Sequence, residues 1–354
     1  MSASRTPLPF VTPLELRTGG AFKSAPEDFE VEELPAYEPS GEGEHLYLWI
    51  EKRDVSAEQL LGHVARQVGC TRGDIGAAGM KDRRAVTRQW LSVPARCEPN
   101  VGLVATEAIR VLEARRHRNK LRTGHLRGNR FRIRLRGAEP QADRAAAEIA
   151  ALLERSGVPN IYGEQRFGHD DETLTFGLGL LRGTSTPRDI PPARRRFLLR
   201  LALSAVQSAL FNETLASRIR DGLLQTVLAG DVMQVSATGG LFVVDDVARE
   251  QPRFDDRETV ITGPMFGPEM KPPGGDAADR EAVVLAAWGL TPGSFETFRN
   301  LTPGARRPLL FRPGGLEVRT DTGDVLLQFE LPSGAYATSV VREFRKTYDA
   351  DGTG

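Results

Sequence analysis

The chain has 354 residues, more than one hydrophobic core of roughly 250–300 residues organises, so two domains are expected. It has no apolar run near the roughly 18–20 residues that span a bilayer, and its only cysteines, Cys70 and Cys97, exclude a disulfide framework and favour a reducing compartment. The 47 basic and 47 acidic side chains cancel, so a polyanionic partner is to be judged from where the charges lie and not from their sum.

The opening MSASRTPLPF lacks the apolar stretch and cleavage site of a secretory leader, and a cytoplasmic location is expected. Ala21–Leu34 reads as two short extended pieces around a turn at Pro26. His45–Arg53 alternates Leu46, Leu48 and Ile50 with a second face, the period of a strand. Ser56 with Gln59 three residues on forms a capping box, opening a helix that buries Leu60, Leu61, Val64 and Val68 and stops at Gly69. Ile75–Ala78 and Thr87–Val93 are strands, with Gly79–Val86 a loop between them. Arg130–Arg136 is the clearest strand: Phe131, Ile133 and Leu135 face one way and four arginines the other, which predicts one apolar and one strongly basic sheet face. Gln141–Ser156 is an amphipathic helix with Ala145, Ile149 and Leu152 inward, ended by Gly157. Turn formers crowd Gly157–Gly168. A long helix then begins in Pro191–Arg220, with Phe197, Leu198, Leu201, Ala205, Leu210 and Phe211 as its apolar residues. Gly- and Pro-rich connections follow at Gly263–Gly275 and Leu301–Gly315, then a strand at Val325–Leu331 and a short helix at Thr338–Lys346. A terminal strand and helix cannot bury their own apolar faces, so these are expected to return to the first sheet.

Charge is segregated along the chain. Arg115–Arg136 holds ten lysines and arginines and no acid, while acids gather in Glu27–Glu44 and Asp245–Asp256. A solvated cationic face is the bland explanation. The run passes straight into a strand, however, so a scaffold holds its charges, which favours a nucleic-acid contact.

Familiar cofactor signatures are missing. Gly79-Met80-Lys81-Asp82 lacks the Lys-Ser/Thr ending of a phosphate loop, Gly177, Gly179 and Gly183 are misspaced for a dinucleotide fingerprint, and the five histidines are scattered, so neither a metal nor an organic cofactor is expected. Asp82 stands out instead, flanked by Lys81, Arg83, Arg84 and Arg88 in a loop between strands. A structural aspartate satisfying loop amides is the ordinary case. Cations on both sides favour its ionised form, and an ionised, positioned carboxylate beside a polyanion-binding surface suits nucleophilic work on a sugar or base.

The stretch Ala78–Trp90, AGMKDRRAVTRQW, resembles the central motif of TruD-type tRNA pseudouridine synthases. Four further blocks agree in order: PEDFEVEE with GEGEHLYL (Pro26–Leu48), HRNKLRTGHLRGNRFRIRLR (His117–Arg136), GVPNIYGEQRFG (Gly157–Gly168) and LPSGAYATSVVREF (Leu331–Phe344). The likeness thins only across about 170–190 and 235–305. It implies an α/β fold of the α+β type, with helices on a mixed, largely antiparallel sheet. Residues 1–156 and 305–354 would form a discontinuous catalytic domain, and 157–304 an inserted family-specific α/β domain, with tRNA in the cleft between them.

The resemblance also implies an activity, the isomerisation of a tRNA uridine, usually at tRNA position 13, to pseudouridine without cofactor or metal. Asp82 matches the nucleophile, Lys23 the cation paired with it, Phe131 the residue that packs the flipped uracil, and Phe29, Asn129 and Tyr336 positions that line the substrate site. The family often has Phe where Tyr336 stands, and two aromatics where this chain has Ile161-Tyr162. Phe131 alone reads equally well as a core residue, and Lys23 as a surface lysine. Glu32, Glu44, Gln165 and Arg166 are motif residues with no role assigned. Arg118, Lys120, Arg122 and Arg127 are expected to contact RNA phosphates. No protein partner is implied. The rival readings are a non-catalytic RNA-binding protein on the same scaffold and a hydrolase pairing Asp82 with a second carboxylate, for which no motif supplies the acid.

Overall fold

The structure is a computed structural model and describes residues 7–347. Met1–Thr6, part of the stretch inspected for a leader, lie outside that range. Strands β1 (Gly19–Phe22), β2 (Phe29–Pro35), β3 (His45–Arg53), β4 (Gly76–Ala77), β5 (Val86–Pro94), β6 (Ile109–His117) and β7 (Leu126–Ala138) come first, with α1 (Ala57–Val68) and α2 (Ala142–Ser156). The middle of the chain supplies β8 (Val158–Pro159), α3 (Glu172–Arg182), α4 (Arg195–Arg220), β9 (Val232–Val235), β10 (Leu241–Val243), α5 (Val247–Asp255), β11 (Thr259–Met265) and α6 (Gly275–Ala287). Last come β12 (Ala305–Pro308), β13 (Leu310–Phe311), β14 (Gly314–Asp321), β15 (Asp324–Pro332) and α7 (Ala337–Arg345).

The main sheet runs β14-β15-β7-β2-β5-β3-β6, with β1 also paired to β7 and β4 to β5. Every pairing in it is antiparallel except β2 with β5, so the sheet is mixed and largely antiparallel, as expected. β15 does return to the first sheet and lies beside β7, pairing Phe329 with Phe131 and Leu331 with Asn129. Helices α2 and α7 cover the apolar face around Phe131, Ile133, Leu135, Leu327 and Phe344. Helix α1 covers Leu46, Leu48, Ile50 and Leu91 on the other half of the sheet. A separate core gathers on α4 with residues of α3, β9, β11 and α6. Its sheet runs β10-β9-β11-β12, so Ala305–Pro308 hydrogen-bonds to the middle of the chain and the crossing back falls a few residues beyond the expected 304/305 boundary.

Two local expectations need correction. The inward stripe of α2 is Ala142, Ala146, Ile149 and Leu153, one position round from Ala145 and Leu152. The arginine face of β7 is not strongly basic. Register sets Glu32 and Glu330 either side of Arg130, and Glu30 beside Arg132. Arg130 bonds to Glu330 at 2.7 Å and Glu32 at 3.1 Å, Arg134 pairs with Asp324 at 2.9 Å, and Arg136 with the fully buried Asp28 at 2.7 Å. The acids that are distant in sequence are neighbours across the strands.

Candidate active site

Asp82 sits in the loop between β4 and β5. The Lys52 ammonium, from the last turn of pleat on β3, donates to the Asp82 carbonyl at 2.6 Å and to the Val55 carbonyl at 2.7 Å. Gly124 N–H donates to the Ala78 carbonyl at 2.8 Å and anchors the start of the loop. With the backbone pinned, the side chains of Lys81 and Asp82 diverge. Lys81 turns inward to a buried ion pair with Glu33 at 2.8 Å, and Glu33 also accepts from the Trp90 N–H at 3.3 Å. Asp82 turns outward, its side chain 54% exposed.

The cation beside Asp82 is Lys23, with Nζ 3.6 Å from Oδ1 and the side chain only 14% exposed. Lys23 follows β1 with φ of 57°, a left-handed conformation uncommon for a side-chain-bearing residue. Its ammonium lies 4.1 Å from the centre of the Phe29 ring and 5.3 Å from that of Phe22, held by the negative faces of both. The expected cationic flank of Asp82 is thereby revised. Lys81 belongs to Glu33, Arg83 lies 3.8 Å from Asp54, and Arg88 pairs with Glu51 at 2.8 Å. Lys23 and Lys52 take their place.

Lys52 was missed by sequence reasoning, yet its signal is visible. In the period-2 pattern of His45–Arg53 it shares the face of Leu46, Leu48 and Ile50, and all four are buried. Burial drives its pKa down to about 8, partly opposed by the Asp82 charge. Glu33 shares the buried face of Phe29 and Val31 by the same logic.

A cleft of about 570 Å³, within the usual range for ligand sites, opens over Asp82. Lys23, Phe29, Asp82, Asn129, Phe131 and Tyr336 all line it. Phe131 is 6% exposed and packs between Phe29 (5.9 Å) and Phe329 (5.5 Å), so it serves the sheet core and the cleft floor at once. The Asn129 Oδ1 is buried without a hydrogen-bond partner among the described residues. Tyr336, half exposed just before α7, forms the facing wall with Tyr162, whose ring centre is 6.1 Å away. Arg307 lies over Tyr162 at 4.3 Å, and burial lowers its pKa while raising that of the Tyr162 hydroxyl. Gln165 and Arg166 complete the rim, Arg166 donating to Ser208 at 3.3 Å. One wall thus comes from the main sheet and the other from the Gly157–Gly168 stretch and the Pro332–Tyr336 loop.

The four residues expected at phosphates, Arg118, Lys120, Arg122 and Arg127, do not line this cleft. Arg118, Arg122 and Arg127 are exposed and Lys120 is half-buried, with Arg118 paired to Glu42 and Lys120 donating to the Gly73 carbonyl at 2.5 Å. No described helix is long and apolar enough to cross a membrane.

The fold is that of a crystal structure described as a tRNA pseudouridine synthase D from Methanosarcina mazei, which superposes with a TM-score of 0.78 at 24% identity over 96% of both chains. The family model for tRNA pseudouridine synthase D (TruD) matches residues 11–186 and 192–344. It runs through the 235–305 stretch where the motifs thin. Relatives named tRNA pseudouridine synthase D include one from Anaeromyxobacter dehalogenans, 46% identical over 96% of this chain and 97% of its own, and one from Thermus thermophilus, 40% identical over 97% and 93%. This chain belongs to the tRNA pseudouridine synthase D family.

Proposed function

We propose that this protein converts a uridine of tRNA, at position 13, to pseudouridine in the cytoplasm, with Asp82 as nucleophile. The observation that carries the reading is the convergence on one cleft of an exposed carboxylate, a lysine beside it and an aromatic floor. The reaction breaks the N1–C1′ bond, turns the uracil and joins C5 to C1′. The C5 proton is lost and N1 gains one, so nothing is oxidised or reduced and no metal or organic cofactor is needed. Attack at C1′ and a glycal route both start from ionised Asp82. Lys23 supports that charge, and a substrate covering the cleft lowers the local dielectric and strengthens their attraction.

A stacked uridine hides both reacting carbons, so the nucleotide must swing out at a cost of a few kcal/mol. Stacking on aromatic side chains returns about 1–3 kcal/mol per base, and we assign that role to Phe131 with Phe29 behind it and Tyr336 opposite. The Asn129 Oδ1, which has no hydrogen-bond partner among the described residues, is the acceptor we assign to the uracil N3–H. We further infer that the catalytic domain comprises 1–156 and the C-terminal segment from about 310, a few residues past the expected 305, around an inserted domain beginning at 157.

Unmodified tRNA transcript incubated with the protein, without added metal or cofactor, should acquire a carbodiimide-dependent primer-extension stop at position 13. Asp82→Asn should abolish the stop while leaving tRNA binding in place. An active Asp82→Asn protein removes the nucleophile assignment.

A further inference from the structure

A second cleft, of about 470 Å³, lies on the far side of the loop that carries Tyr336. Gly334 and Ala335 line both clefts, so this short loop is their common wall. Arg257, Arg307 and Arg312 line the second one, with Asn160, Gln234 and Thr259, and no acid does.

The polar groups here are under-used. Arg312 is half-buried, rests over the Phe254 ring at 5.6 Å, and has an Nε shut from solvent without a partner among the described residues. Arg307 spends Nη2 on the carbonyls of Asn160 and Gly334, and its Nε is likewise buried and unmatched. Thr259, 1% exposed, leaves Oγ1 without a partner. The Arg257 guanidinium donates to the Glu154 carbonyl at 3.2 Å. Burial first, and then the Arg257 charge, depress the basicity of Arg312, against the pull of Asp255. Three guanidiniums lining one cleft, two of them with a buried unmatched Nε, form a site suited to an anion.

We propose that this cleft is a subsite for a phosphodiester of the substrate RNA flanking the target nucleotide, gripped by Arg312 and Arg257. The inference rests on the reading of the Asp82 cleft given above. A strand that seats one nucleotide against Asp82 and continues across the Pro332–Ala335 loop brings its next backbone charges to these arginines. Arg307 ties the two ends together, because it holds the Gly334 carbonyl at 3.1 Å while its guanidinium lies over Tyr162.

The test uses the full chain and an unmodified tRNA transcript, with affinity measured between about 50 and 200 mM salt. The double variant Arg257→Gln/Arg312→Gln should bind about tenfold more weakly at low salt, as expected for loss of charge-assisted hydrogen bonds. Its log affinity against log salt should be shallower by about 0.7, the share of one phosphate on a single strand. Arg312→Lys, which keeps the charge, should keep the full slope. Unchanged affinity and slope in the double variant, with wild type still converting the transcript, overturn the subsite and leave the Asp82 reading standing. Failure of wild type to convert the transcript overturns that reading instead, and the slope then judges the subsite alone. Inorganic phosphate that raises the melting temperature of wild type but not of the double variant, with tRNA slopes equal, marks a free-phosphate site and also overturns the proposal. If the double variant fails to fold, the exposed Arg257→Gln replaces it, and an unchanged slope there sinks the idea.

Discussion

Two lysine–carboxylate pairs share one loop and differ in every respect that matters. Lys81 and Glu33 meet at 2.8 Å with side chains 5% and 1% exposed, whereas Lys23 and Asp82 stand 3.6 Å apart with the carboxylate half in water. The first pair is closed: both side chains are buried, and Glu33 accepts from Lys81 and from the Trp90 N–H. The second is open on the side of the cleft. Adjacent residues in the sequence thus divide the labour, one fastening the loop and the other facing solvent in the cleft.

That contrast is sharpest if the closed pair is broken. Lys81→Met leaves the Glu33 carboxylate buried alone and should cost about 3–5 kcal/mol in urea unfolding, while Lys81→Met combined with Glu33→Leu should regain most of it. Lys23→Met should cost the fold no more than about 1 kcal/mol, since its partner is well exposed. Its effect should fall on single-turnover conversion, down about 100-fold with tRNA affinity kept, the scale of losing one charge-stabilising group at a reacting centre. Equal loss of stability from the two lysine changes would erase the distinction. A smaller effect comes from Lys52, which burial holds at about 8 against 10.5 when free. The unfolded chain then binds more protons between those values, so this group should make stability rise with pH from about 8 to 10.5. The difference between wild type and Lys52→Met across that interval measures it. Smallest of all is Arg130→Gln on the charge-paired face of β7. It should shift stability by under about 1 kcal/mol and leave the salt slope of tRNA binding untouched.

Much of this was legible in the sequence. Period-2 alternation located β3 and β7, and the capping box at Ser56 and Gln59 is made as expected. Asp82, Lys23, Phe29, Phe131, Asn129 and Tyr336 were singled out by family likeness, and their shared cleft bears out their proximity, not their roles. What escaped is cross-strand information. The ten-cation run suggested a basic surface, but strand register sets Glu30, Glu32 and Glu330 among its arginines, and the arginine-lined second cleft takes Arg257, Arg307 and Arg312 from outside that run. The α2 stripe was misplaced by one residue because an alanine-rich helix offers several faces of nearly equal hydrophobicity. Lys52 and Glu33 were passed over because a charged residue on an apolar face looks like the end of the pattern, when it is the pattern continuing.

The position of β15 beside β7 has a consequence for synthesis. Chains fold from the N-terminus as the ribosome releases them, so the Asp82 loop emerges long before the segment bearing Tyr336, which follows β15 directly. A nascent chain therefore carries its carboxylate with the opposite wall missing. The ribosome is surrounded by RNA, and until β15 and the loop after it have been made the cleft over Asp82 has only one of its walls to offer those bystanders.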